Sequence, residues 1–158
     1  GLGLSVHGSH RIVTEKTITA MPETAIGLFP DVGGGFFLSR MKNFLGHYLA
    51  ITGNTMNSAD TIYSGIGTNY LESNLVENFI LKIKDLNKYE FTNVSDILDN
   101  MATKDKNINK LSNEINKIGK HFSHNSIIDI IKSLKSSLGE WEEKILKTLY
   151  RVKQIICF

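Results

Sequence analysis

One cysteine, one tryptophan and two prolines are all that 158 residues contain of those types, and each scarcity excludes something. Cys157 alone cannot close an internal disulfide or build a thiolate metal cluster, so a disulfide-stapled scaffold is out and a reducing compartment fits. No stretch approaches the roughly 20 consecutive apolar residues that cross a bilayer, and no basic flank with an apolar block marks the start as a signal peptide. No membrane partner is expected. An initiator methionine is also missing. The opening Gly1-Leu2-Gly3-Leu4 reads as the interior of a fold, which leads us to expect a truncated N-terminus.

What is present suits one globular domain: 41% of residues are apolar and 22% charged, and a chain of this length buries roughly 70% of its unfolded surface. Residues 1–80 carry 4 Lys/Arg against 6 Asp/Glu, and residues 81–158 carry 14 against 10. Of 13 glycines, 11 lie at or before Gly67, together with Pro22 and Pro30. Turn chemistry is thus concentrated early. The expected class is α/β, with a loop-rich β/α part over 1–75 and a mostly helical part of the same domain over 76–158.

Residues 2–9 read as a short buried helix, and His10–Thr19, rich in Ile, Val and Thr, as a strand or extended connection. Met21–Gly35 holds two prolines, four glycines and two carboxylates, a composition for an ordered loop with special backbone angles. The spacing of Phe37, Leu38, Met41, Leu45, Tyr48, Leu49 and Thr52 predicts one amphipathic helix over 36–52, stopped by Gly53. Ser58 is expected to cap a helix through Tyr63, closed by Gly65, with a strand over 66–71. Three further apolar faces follow at three-four spacing: Ile108, Leu111, Ile115, Ile118 and Phe122; Ile127, Ile131, Leu134 and Leu138; Trp141, Ile145, Leu149 and Val152. The Asn/Lys-rich stretch from Asn87 to Lys120 keeps that period, and Asp96, Asp99, Asp105 and Glu114 break up its positive charge. It predicts a solvated face and no nucleic-acid partner.

The segment MPETAIGLFPDVGGG carries the best candidate chemistry, because two carboxylates in unlike surroundings can divide acid and base work. Apolar neighbours around Glu23 disfavour its charged form, whereas backbone N–H groups ahead of Asp31 favour its anion. The plainer alternative is that Asp31 caps the following helix and Glu23 is an exposed loop acid. Gly33-Gly34-Gly35 lacks the Lys-Ser/Thr of a phosphate loop. Ser5 and His7 face different ways, and His7 with His10 has no nearby carboxylate, so no metal is expected. His121 and His124, among polar residues, are expected at the surface.

The run GLGLSVHGSHRIVTEKTITAMPETAIGLFPDVGGG, with FFLSR, LAITG and IYSGIGTNYL after it, resembles the 3-hydroxyisobutyryl-CoA hydrolases. These are a branch of the crotonase (enoyl-CoA hydratase/isomerase) superfamily. The match is dense to about residue 75 and thinner beyond, recurring at HFSHNSIIDIIKSL. The resemblance implies a partial crotonase-like fold and hydrolysis of 3-hydroxyisobutyryl-CoA, or a related short 3-hydroxyacyl-CoA, to free acid and CoA in valine catabolism. CoA is then part of the substrate, and no separate cofactor is expected.

By that resemblance Glu23 matches the catalytic glutamate that attacks the thioester or activates water. Asp31 matches the aspartate that assists proton transfer and orients substrate or water. Gly1 belongs to the substrate-binding glycine run at the oxyanion hole, with the donor itself expected just before it. Gly3 stands where a hydratase carries its other glutamate, which favours hydrolysis over hydration. A mitochondrial location is implied, and a homo-oligomer is compatible with the family. The alternatives are an enoyl-CoA hydratase/isomerase activity, or a truncated, non-catalytic chain.

Overall fold

The computed structural model describes residues 1–156 apart from Asn87 and Leu138, with side chains described to Arg151. The expectations for Leu138, Cys157 and the side chain of Val152 lie outside the described residues. In chain order the elements are α1 (Leu2–Ser5), β1 (Ile12–Val13), α2 (Gly34–Leu38), α3 (Leu45–Thr52), α4 (Ser58–Tyr63) and β2 (Asn69–Tyr70). Then come α5 (Val76–Lys84), α6 (Phe91–Met101), α7 (Leu111–Phe122), α8 (Ile127–Lys135) and α9 (Glu140–Ile156). Short 3-10 turns occur at Glu23–Ile26, Lys42–Phe44 and Ser73–Leu75. Two compact units result, one from Gly1–Thr19 with Met56–Ser112, the other from Ala20–Thr55 with Asn113–Phe158.

In the first unit β1 and β2 pair in parallel, Ile12 opposite Asn69 and Val13 opposite Tyr70. Thr19 adds an antiparallel bridge to Met56. Arg11 fixes the approach to β1, donating from Nη1 to Gly8 O at 2.6 Å and from Nη2 to Gly65 O at 2.9 Å. Leu71, Phe79 and Leu98 form a core, with Ile12, Ile83 and Val94 packed against it. Asn57, one residue ahead of the expected cap, takes the Asp60 N–H at the start of α4. Ser58 is instead wholly buried and accepts from Asn107 Nδ2 at 2.6 Å. The expected helix near the N-terminus exists as α1 but is not buried, since none of its residues is covered and Leu4 is 87% exposed.

The helix expected to run on from Ile108 begins three residues later, and Ile108 is exposed. Asn109 accepts the Ser112 N–H at 3.0 Å and buried Asp60 accepts the Leu111 N–H at 2.9 Å. Side chains thereby satisfy the first N–H groups and set the start at Leu111. On α8 the covered positions are Ile130 and Leu134, while Ile127 is exposed.

The second unit departs most from expectation. One helix over 36–52 is in fact two, α2 and α3, separated by a reversal in which Asn43 (φ 52°) and Phe44 (φ 58°) adopt left-handed backbone. The reason is contact of backbone on backbone. A Cβ on Gly46 would fall 1.7 Å from the carbonyl oxygen of Leu38, so the first turn of α3 lies directly on the end of α2. Leu38, Leu45, Tyr48 and Leu49 are buried by that fold-back, and residues spaced for one helical face serve equally to line two short helices. Tyr48 meets Phe122 edge-on at 5.2 Å, and α3 and α8 both pack against α9.

Gly46→Ala is expected to lose at least about 3 kcal/mol of stability, because overpacking against backbone has no rotamer to relieve it. Urea unfolding measures this, and a loss under about 1 kcal/mol would contradict the contact.

Candidate active site

Met21–Gly34 is a loop closed at its base. A Cβ on Gly34 would sit 2.7 Å from Pro30 Cβ and 3.1 Å from Met21 Cε, so the start and finish of the segment rest on one another across a residue with no side chain. Gly27 (φ 76°) and Gly33 (φ 81°) supply left-handed turns, and Val32 (φ 41°) is held there without being glycine. Strain of that kind in a β-branched residue costs on the order of 1 to 3 kcal/mol and persists only where surroundings impose it. The special backbone angles expected of this loop are therefore present.

Glu23 opens the 3-10 turn Glu23–Ile26 and is half-buried; its Oε2 is shielded from solvent and has no hydrogen-bond partner. A buried acceptor left unpaired costs about 1 to 3 kcal/mol. Asp31 is exposed. It does not cap α2, whose N-cap is Gly33 with no side-chain bond, and its carboxylate makes no hydrogen bond or ion pair among the described residues. Asp31 thus does not cap the helix, and Glu23 is not a fully exposed loop acid. Around them Ile26, Leu28, Phe29, Val32 and Phe36 are all more than half exposed, an apolar surface beside two acids. Gly1 lies in the other compact unit, exposed, where its carbonyl accepts the Leu4 and Ser5 N–H groups at the head of α1.

Another acid of the opening run is occupied. Glu15 accepts both the backbone N–H and the hydroxyl of Ser73, which holds its carboxyl below the ordinary 4.5. His10 bridges Ser9 and Ser95 through its two ring nitrogens at 3.1 and 2.9 Å, leaving neither for a ligand. Among the described residues no three His, Cys, Asp or Glu side chains gather as a metal site.

One expectation is overturned: His121 is fully buried. Its Nδ1 pairs with Ser133 Oγ at 2.8 Å and its Nε2 faces Glu142 Oε1 at 3.7 Å, so one ring joins α7, α8 and α9. His121 lies three residues beyond buried Ile118, on the covered side of α7, and that spacing was the signal the polar neighbours obscured. His124 is exposed as expected. Burial, then the Lys120 charge, pushes the His121 imidazole below its ordinary 6.5, with Glu142 opposing and His124 adding a little to the lowering.

The model of the enoyl-CoA hydratase/isomerase family matches residues 1–155. The chain belongs to the enoyl-CoA hydratase/isomerase family. Among curated relatives in this family it is 42% identical over 154 residues to the mitochondrial 3-hydroxyisobutyryl-CoA hydrolase of Xenopus laevis, covering 94% of this chain and 40% of that one. It is 39% identical over 160 residues to the human protein of the same name, with 96% and 40% covered. The chain spans about 40% of the length of these curated relatives.

Two solved structures of the family share its architecture. A carnitinyl-CoA dehydratase from Mycobacterium thermoresistibile superposes with TM-score 0.83 at 25% identity, over 99% of this chain and 48% of that one. An enoyl-CoA hydratase from Rhodobacter sphaeroides gives 0.76 at 28%, over 95% and 41%. The family and the α/β crotonase-like fold expected from the sequence are both upheld.

His121 generates a pH dependence of determined sign. Its unfolded imidazole binds a proton near 6.5 and its folded one only at lower pH, so the unfolded chain holds more protons between the two. Stability is full above about 6.5 and falls as pH drops through that value. Melting temperature followed from pH 8 to pH 5 should show this acid limb, and His121→Gln should flatten it; an unaltered limb would contradict the assignment.

Proposed function

We propose that this chain is the acid/base-bearing part of a hydrolase acting on 3-hydroxyisobutyryl-CoA or a related short 3-hydroxyacyl-CoA, in a mitochondrial setting. The observation that carries the reading is Glu23 Oε2, an acceptor kept out of water with nothing to accept from. It stands on a closed loop beside an uncommitted Asp31 and an apolar surface, in a chain 42% identical to a relative named for that hydrolysis. Residues 1–75 then belong to the catalytic core and 76–158 to a helical part of the same domain.

In this reading the thioester carbonyl approaches the Glu23 turn with its acyl portion against the exposed apolar side chains. Glu23 either attacks the carbonyl carbon directly, to be released by water, or takes the proton of the water that attacks. In both cases the C–S bond breaks, a C–O bond forms, and CoA leaves as a thiolate that must gain one proton. Asp31, exposed and unpaired, is suited to relay that proton. Gly1, by resemblance, belongs to the backbone run that binds the substrate. Hydration is disfavoured because Gly3, on α1, offers no second carboxylate where a hydratase has one.

In the full-length protein Glu23→Gln should cut CoA release, followed with a thiol reagent, by a factor on the order of 10² to 10⁴. Near-normal turnover from a folded variant would reject the assignment. Asp31→Asn should lower kcat by roughly 10²-fold with KM little changed; a change in KM alone would make Asp31 a binding group rather than a proton relay.

A further inference from the structure

Gly53 ends α3 in left-handed backbone (φ 62°), its N–H closing the helix onto Leu49 O at 2.9 Å. That conformation alone would suit glycine or asparagine. The surroundings are narrower. A Cβ at Gly53 would stand 3.3 Å from Pro22 Cα, 3.3 Å from Thr24 Oγ1 and 3.5 Å from Met21 O, the residues on either side of Glu23. Thr24 Oγ1 is buried and makes no hydrogen bond, so this side chain is seated by shape and not by a polar tie. α9 packs against the same 3-10 turn.

Resting on the proposed reading of Glu23 as the catalytic carboxylate, we propose that Gly53 is a positioning residue: the bare end of α3 is the seat that sets where the Glu23 carboxyl stands. A Cβ there has backbone on two sides and can be accommodated only by moving the Pro22–Thr24 segment outward by some tenths of an ångström. Displacements of about 1 Å can cost a reaction roughly 10²-fold. The shift imposed here should act on the rate of the chemical step and leave substrate binding nearly untouched.

The test is Gly53→Asn in the full-length protein, with Gly65→Asn as its match. Gly65 has the same left-handed backbone (φ 77°) with nothing within 4 Å of the Cβ position, so it carries the conformational cost without the contact. Gly53→Asn should lower kcat for 3-hydroxyisobutyryl-CoA about tenfold or more, keep KM within about twofold and melt close to Gly65→Asn, whose kcat should match wild type. A folded Gly53→Asn with wild-type kcat overturns the proposal. So does failure of Gly53→Asn to fold, because Gly53 would then support the fold at large. If wild type releases no CoA, the proposed function fails separately. The ¹³C resonance of the Glu23 carboxyl then decides: a change in Gly53→Asn but not in Gly65→Asn supports the seat, and no change removes it.

Discussion

Two glycines on one short helix govern the second unit. At the first turn of α3, Gly46 accepts the carbonyl end of α2 directly onto its backbone; at the last, Gly53 accepts Pro22 and Thr24. Gly53, just past the end of α3, lies seven positions on from Gly46, a rise of about 10 Å. The segment carrying Glu23 and Asp31 is therefore held near both its ends by the same rigid element, and it is closed on itself where Gly34 meets Met21 and Pro30. Positions that allow backbone to lie on backbone in this way help the loop's local backbone bonds hold it without side-chain hydrogen bonds. Such a loop can keep its polar side chains free.

That freedom is visible in where unpaired polar atoms collect. Within the second unit the shielded atoms without partners include Glu23 Oε2, Thr24 Oγ1 and His121 Nε2. The third is faced by Glu142 and belongs to the join between α7, α8 and α9. The first two sit on the turn that the family resemblance singles out. An unsatisfied acceptor on a tightly packed turn costs stability, and the cost is understandable if a substrate or its water is the missing partner.

Much of this was legible in the sequence. Glycine and proline density marked Met21–Gly35 as an ordered loop, and Gly53 as a helix stop, because left-handed backbone leaves a compositional trace. The pairing of Glu23 with Asp31 is weak on spacing alone, and it is the MPETAIGLFPDVGGG resemblance that makes it worth proposing. The break between α2 and α3 was not legible. Leu38, Leu45, Tyr48 and Leu49 keep a helical period whether the chain runs straight or doubles back, and only the third dimension shows Gly46 lying on Leu38. Burial of His121 was misread for a related reason: Lys120, Ser123 and His124 are exposed neighbours in sequence, yet position on α7, and not local composition, decides which side chain faces inward.

The proposed chemistry stands or falls on Glu23, seated against the end of α3, reacting at an acyl thioester. The most direct measurement is a crystal structure of the full-length protein with an unreactive 3-hydroxyacyl-CoA thioether or amide analogue. The Glu23 carboxyl should stand about 3 to 3.5 Å from the carbonyl-equivalent carbon, or be joined to it through one water. An analogue bound with that carbon well away from Glu23, and with Oε2 still unpartnered, would contradict it.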